Sequence, residues 1–316
     1  MKKMKMRALL TSLLLLPAAF FAQYDGLFTQ YMFNEVFINP AYAGSKEAMS
    51  ATLLNRQQWV SFPGRPVTTS MSLHGPLKDG KMGAGLSILN EKIGVLNRNL
   101  IYGTYAYRLK LDEKSTLAMG LMAGIDNQLN RLGQVKASSD GSPADPQFTQ
   151  NTPNVFAPNA GAGVYYNNKQ FYAGLSVPRL IDNAVRFSPS GATIKTTRVS
   201  PSKFTYYFTG GYLFRLQEDL KMRANVMIKA VKNAPAQFDL GANFLIRDMI
   251  WAGMSYRSAS AVSALLGAQV NKQFFVCYSY DYSTSKIQNY SQGSHEIVLN
   301  YLFSFSGKKV VTPRYF

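Results

Sequence analysis

The sequence predicts an all-β protein: a transmembrane antiparallel β-barrel of about 14 strands, with an N-terminal plug or docking segment. Three observations predict it. Apolar and polar residues alternate with period two. The alternating runs are long. The connections between them are short and long by turns.

The chain opens with MKKMKMR, which carries four positive charges and no acid. ALLTSLLLLPAAFFA follows, apolar and interrupted by Pro17. A basic start, a short apolar centre and small residues at its end make a secretory signal peptide over residues 1–22. The apolar run is short for a spanning helix. Cleavage is expected between Ala22 and Gln23, although Phe20 at the −3 position departs from the A-x-A pattern. No cysteine follows the apolar run, which argues against a lipoprotein. The formal charge is +17, four of it in this leader. Export argues against nucleic acid as the partner of a basic chain and leaves an anionic membrane surface or an acidic protein. With Cys277 as the single cysteine, no internal disulfide forms.

The strands are read from their parity. In LKMRANVMIKAV, Leu220, Met222, Ala224, Val226, Ile228 and Ala230 share one face, while Lys221, Arg223, Asn225, Met227 and Lys229 share the other. FFVCYSYDY sets Phe274, Val276, Tyr278, Tyr280 and Tyr282 against Phe275, Cys277, Ser279 and Asp281. HEIVLNYLFSF sets Ile297, Leu299, Tyr301, Phe303 and Phe305 against Glu296, Val298, Asn300 and Ser304. Fourteen such runs are expected, at 48–59, 66–75, 80–90, 97–110, 115–128, 157–167, 169–177, 203–216, 219–231, 235–246, 249–257, 260–270, 273–282 and 293–304. Their length suits a tilted spanning strand better than the strand of a soluble sheet, and their number is even. The predicted barrel covers 48–305, a motif-bearing segment covers 23–47, and SGKKVVTPRYF over 306–316 is a basic tail.

GPLK, LDEK, NNK, LQED, IRD and NK are tight turns. They alternate with longer connections: SFPGRP, EKIGVLN, 130–156, 178–202 and STSKIQNYSQGS, with KNAPA and RSAS only slightly longer than a turn. Short turns at one rim and long loops at the other are how an outer-membrane barrel is arranged. A soluble secreted β-sandwich is the alternative, but it calls for shorter strands and less regular staggering. Tyr105, Tyr107, Tyr212, Phe214, Trp251, Tyr301 and Phe303 fit interfacial aromatic girdles. Lys221, Arg223 and Lys229 are expected to face the lumen, either balanced by carboxylates across it or lining an anion-selective pore.

Little in the sequence carries catalytic chemistry. His74 and His295 lie far apart, with no local His, Cys or carboxylate cluster of metal-ligand spacing, and no cofactor is called for. No G-x-S-x-G elbow supports a barrel-embedded hydrolase built on either histidine. GAGLS and GGYLF lack the Lys-Ser/Thr and helix of a phosphate loop and are strand glycines.

The remaining signal is QYMFNEVFINPAYAGS at Gln30–Ser45, neither a clean helix nor a clean strand. It resembles the N-terminal signature of the PorP/SprF family, outer-membrane proteins of type IX secretion and gliding motility. NRQQWVSFPGRPVTTSMSLHGPL at Asn55–Leu77 and GLSVPRLI at Gly174–Ile181 extend the resemblance, which spans essentially the whole mature chain. Arg65 after FPG and Glu35-Val36 depart from the pattern. The matching positions include Tyr31, Asn34, Asn39, Pro40, Tyr42 and Gly44, then Arg56, Trp59, Pro63 and His74. In physical terms Tyr31, Phe33, Phe37 and Tyr42 are bulky anchors, Pro40 and Gly44 set turns, and Asn34 and Asn39 bond nearby backbone. This set is read as a plug inside the barrel or a docking surface at its periplasmic rim.

The resemblance implies a non-enzymatic outer-membrane component supporting export or surface attachment of cargo, gliding adhesins among them, by recognising the cargo's C-terminal domain. Its implied partners are other secretion components on the periplasmic side, the cargo proteins and outer-membrane lipid, with no nucleic acid. The alternative function is a passive or fatty-acid-type uptake channel in the outer membrane.

Overall fold

The computed structural model describes residues 28–46, 48–77, 80–134, 151–152, 154–187 and 193–303. The expected signal peptide over 1–22 and the basic tail over 306–316 lie outside them.

Fourteen strands form one closed antiparallel barrel. The first half is β1 (Met49–Gln57), β2 (Val67–Leu77), β3 (Met82–Ile93), β4 (Leu96–Lys110), β5 (Thr116–Asn130), β6 (Val155–Asn167) and β7 (Phe171–Val177). A hairpin, β8 (Ile181–Phe187) and β9 (Thr193–Val199), forms a separate two-stranded sheet. The barrel resumes with β10 (Thr205–Gln217), β11 (Leu220–Val231), β12 (Gln237–Ile246), β13 (Ile250–Arg257), β14 (Ala261–Gln269), β15 (Phe274–Ser283) and β16 (Ser294–Phe303). β10 pairs with β7, and β1 pairs with β16 from Met49↔Phe303 to Gln57↔His295, which closes the cylinder. Each predicted barrel strand is present.

Period two fixes which side chains face in. Along β1, Ser50, Thr52, Leu54 and Arg56 are buried while Met49 and Leu53 stand exposed. Along β11, Arg223, Asn225, Met227 and Lys229 point inward. The wall is therefore apolar outside and polar inside, the reverse of a soluble core. Aromatic rings flank the outer band at both ends. Tyr105, Tyr107, Phe171, Tyr212, Phe214 and Tyr301 lie near the short-turn rim, and Phe156, Tyr206, Phe238, Tyr256 and Tyr282 near the long-loop rim. Trp251 departs from the expected girdle. Its parity on β13 turns it inward, where only 3% of it is exposed.

Two connections also differ from expectation. EKIGVLN is not an open loop: β3 and β4 continue through it and Ile93 pairs with Leu96. Gly94 at φ +56° accepts the left-handed conformation that so tight a turn demands. The segment 178–202 carries the β8–β9 hairpin, which sequence periodicity did not reveal. At the short-turn rim, the LDEK turn is held by Asp112, whose Oδ1 accepts the Lys114 and Ser115 amides at 2.6 and 2.7 Å. The Lys114 amide leads in holding that carboxyl below its ordinary range.

Leu121 lies near the middle of β5 and is 65% exposed on the outer face. Leu121→Arg places a cation in hydrocarbon and is expected to destabilise the inserted barrel by about 2–4 kcal/mol. Denaturant unfolding from lipid vesicles measures this; an unchanged midpoint would mean that this face does not meet lipid.

Candidate functional site: a segment seated in the lumen

Phe28 to Lys46 runs inside the barrel. Its aromatics follow no single period, so no helix face or strand face can bury them together. The chain instead makes three 3-10 turns, Tyr31–Phe33, Glu35–Phe37 and Pro40–Tyr42. Asn39 Oδ1 accepts the Ala41 amide at 3.0 Å, capping the third turn, and Pro40 fits its first position. Gly44 sits at φ +78°, and a Cβ there would meet Gly83 Cα at 2.9 Å. Tyr31, Met32, Val36, Ala41, Tyr42 and Ala43 are all buried.

A chain lying in a lumen must find partners for its own backbone. Here the wall supplies them from around its circumference. Glu296 of β16 accepts the Thr29 and Gln30 amides at 2.9 and 2.7 Å, one on each carboxylate oxygen. Arg257 of β13 donates to Phe28 O at 2.9 Å. Ser176 of β7 donates to Ile38 O at 2.7 Å, and Asn39 Nδ2 donates to Val164 O of β6 at 2.9 Å. Asn34 donates to Ser70 and accepts from Ser72, both on β2. Thr209 of β10 donates to Glu35 at 2.6 Å. His74 Nδ1 accepts the Gly44 amide at 3.2 Å, and its ring lies 5.4 Å from that of Tyr42.

An ion cluster anchors the end of the segment nearest the long-loop rim. Arg56 donates to Asp281 at 2.7 Å and to Glu296 at 3.0 Å, with all three side chains buried. Arg56 also donates to Thr29 Oγ1 at 2.9 Å, and Thr29 donates to Asp281 at 2.7 Å. The segment thus completes a charge cluster that strands β1, β15 and β16 build. Buried charges of this kind are tolerated only when paired.

The wall also makes room. A Cβ on Gly83 would lie 2.1 Å from Ala43 O, and one on Gly120 would lie 2.2 Å from Ala41 N. Gly83 belongs to GAGLS, so that strand glycine has a steric purpose the sequence did not disclose: it lets the PAYAG backbone approach the sheet.

Of the motif residues singled out in the sequence, Tyr31, Asn34, Asn39, Pro40, Tyr42 and Gly44 lie together in the lumen, and Arg56 joins them there. Trp59 and Pro63 do not. They sit on the β1–β2 loop at the long-loop rim, where the Trp59 amide donates to Ser294 Oγ at 3.1 Å and Pro63 is exposed. Lys221 leaves the lumen centre for the short-turn rim and donates to Asp248 at 2.6 Å. The Arg223 guanidinium lies 5.1 and 4.9 Å from the rings of Phe33 and Trp251, and Lys229 lies 5.7 Å from the ring of Tyr207. Both cations are nearly fully buried, so neither lines an open aqueous pore. Glu35, Asp281, Glu296 and Arg257 were not singled out as site residues, although parity already put Asp281 and Glu296 on the polar face. Among the described residues no group of three His, Cys, Asp or Glu gathers as a metal site.

Arg56→Ala leaves Asp281 and Glu296 buried beside each other without their cation. The expected cost is about 3–5 kcal/mol, read as a lowered unfolding midpoint in urea. Gly120→Val drives a side chain into Ala41. Maleimide labelling of Ala41→Cys in a Cys277→Ala background is expected to be slow in the parent and fast once Gly120→Val is added. Equal rates would show that the segment is not held against β5.

Comparison with known proteins follows the same lines. The family described as type IX secretion system membrane protein PorP/SprF matches residues 20–301. No curated protein matches the chain by sequence. Among solved structures, the CymD monoaromatic hydrocarbon channel superposes with a TM-score of 0.51 at 13% identity, over 92% of this chain and 95% of that one. The Ralstonia pickettii toluene transporter TbuX gives 0.49 at 10% identity, over 86% and 93%. The Acinetobacter baumannii outer membrane protein Omp33 gives 0.47 at 7% identity, over 82% and 100%. At such identity the likeness to CymD shows the barrel fold alone.

Proposed function

The chain belongs to the PorP/SprF family of type IX secretion system membrane proteins, and from that membership we propose that it supports export or surface attachment of cargo by recognising the cargo's C-terminal domain. The family match over residues 20–301 is the observation that carries this reading. The lumen geometry supports a particular version of it. A lumen filled by Phe28–Lys46, hydrogen-bonded on many sides, leaves little room for a polypeptide to pass. The barrel then acts as an adaptor whose rims and loops meet partners, and not as the conduit itself.

Residues 1–22 direct export, and the mature protein sits in the outer membrane with its short turns in the periplasm. Other secretion components are met on that side, and lipid surrounds the apolar band. The action is non-enzymatic and needs no cofactor. Gliding adhesins are one cargo class that fits. Tyr31 and Tyr42 serve first as anchors of the lumen segment, since each is 3% exposed and packed by the wall.

Quantitative proteomics of the cell surface and medium tests the proposal, comparing a clean deletion with its complemented strain. One or a few proteins with secretion-type C-terminal domains are expected to leave the surface and return on complementation. Loss of nearly all such cargo would instead make the protein a core part of the machine. Unchanged secretion would sink the adaptor reading for this chain.

A further inference from the structure

β7 has 7 residues, whereas β6 and β10, its partners in the barrel, have 13 each. Among the described residues β7 therefore stops short of its neighbours towards the long-loop rim. Tyr207 pairs with Ser176, the last pair of the β7–β10 ladder, while Thr205 and Tyr206 go on to pair with β11. Beyond Val177 the chain leans towards β6: Leu180 N donates to Ala160 O at 2.8 Å, and Asn159 exchanges hydrogen bonds with Ile181 at 3.1 and 3.2 Å. This makes a seam in the ladder: among the described residues no strand pair joins this stretch to β10. Pro178 and Arg179 turn inward at it.

Behind the seam, between the wall and the lumen segment, lies a cavity of about 70 Å³, room for several waters or for part of one alkyl chain. Its body is apolar: Phe28 and Ile38 from the lumen segment, Leu100 and Met122 from β4 and β5, and Pro178 and Tyr207 at the seam. One end is polar. Arg179 donates to Asp126 at 2.8 Å, Arg98 donates to the same oxygen at 3.2 Å, and Tyr102 OH donates to the other oxygen. Glu91 stands 3.9 Å from Arg98. Arg179 is the most exposed member, with 29% of its side chain accessible.

We propose that this cavity binds a single-chain amphiphile with a carboxylate head, drawn from the surrounding lipid through the β7–β10 seam. The acyl chain lies between Ile38 and Met122, and the head shares Arg179 with Asp126. Three features favour this class over a compact polar solute. The lining is apolar along its length, the charges are confined to one end, and the most accessible charge there is a guanidinium, which pairs bidentately with carboxylates. The assignment is independent of the secretory role, so failure of either leaves the other standing.

Full-length protein held in amphipol provides the test. Dodecanoate and dodecanol serve as probes, titrated against a fluorescent undecanoate. Dodecanoate is expected to displace the reporter from one saturable site per chain. Met122→Trp fills the cavity and is expected to weaken dodecanoate about tenfold or more; Leu100→Trp repeats the test should the first variant fold poorly. Heat-modifiable migration checks that each variant is folded. Arg179→Gln is expected to weaken dodecanoate about fivefold to tenfold and leave dodecanol unchanged. No saturable site in the parent protein, full affinity in the folded tryptophan variants, or equal loss of both probes in Arg179→Gln would each overturn the proposal.

Discussion

Hydrocarbon offers a backbone no hydrogen-bonding partner, and that constraint organises this molecule. A sheet that crosses a membrane must leave no open edge, so the first and last strands have to meet. The pairing of β1 with β16 from Met49↔Phe303 onward meets that demand. Closure in turn fixes the two environments of the wall. Every second side chain faces lipid and every other one faces a narrow interior. The apolar band, the aromatic girdles and the polar inner face are three consequences of one closed ladder.

A closed polar interior raises a second demand. Fourteen strands enclose a space too wide for wall side chains alone to fill. Here the chain's own entry segment fills it. The wall meets the segment's backbone with Glu296, Arg257, Ser176 and Thr209, and it meets the segment's bulk by omitting side chains at Gly83 and Gly120. The buried charges belong to the same arrangement. Arg56, Asp281 and Glu296 balance one another and are also the donors and acceptors that hold Thr29 and Gln30.

The barrel was largely legible in the sequence because period two needs nothing beyond neighbouring residues to be seen. LKMRANVMIKAV declares its two faces without reference to any other strand. Trp251 is harder to place because aromatic rings suit both lipid and lumen, and only its position on β13 decides between them. The tight turn at Gly94 and the β8–β9 hairpin were hidden for a related reason: pairing across a connection depends on two segments at once. The lumen segment was visible as an irregularity and as a family signature. Its contacts were not, because each joins residues far apart in the chain. Asp281 and Glu296 looked like ordinary lumen carboxylates until Arg56, Thr29 and Gln30 stood beside them.

That separation bears on how the molecule assembles. Gln30 and Glu296 are 266 positions apart, and Thr29 and Asp281 are 252 apart. Bringing such distant parts together costs chain entropy that only late contacts repay. The lumen segment is joined to β1 through the two residues after Lys46, and Glu296 lies on β16 itself. Two of the bonds that seat the segment, from Glu296 to the Thr29 and Gln30 amides, therefore form between the same two chain ends that must meet to shut the cylinder. The anchor at Glu296 is thus complete only in the closed cylinder, and the closing strand carries the residue that holds the chain's own beginning.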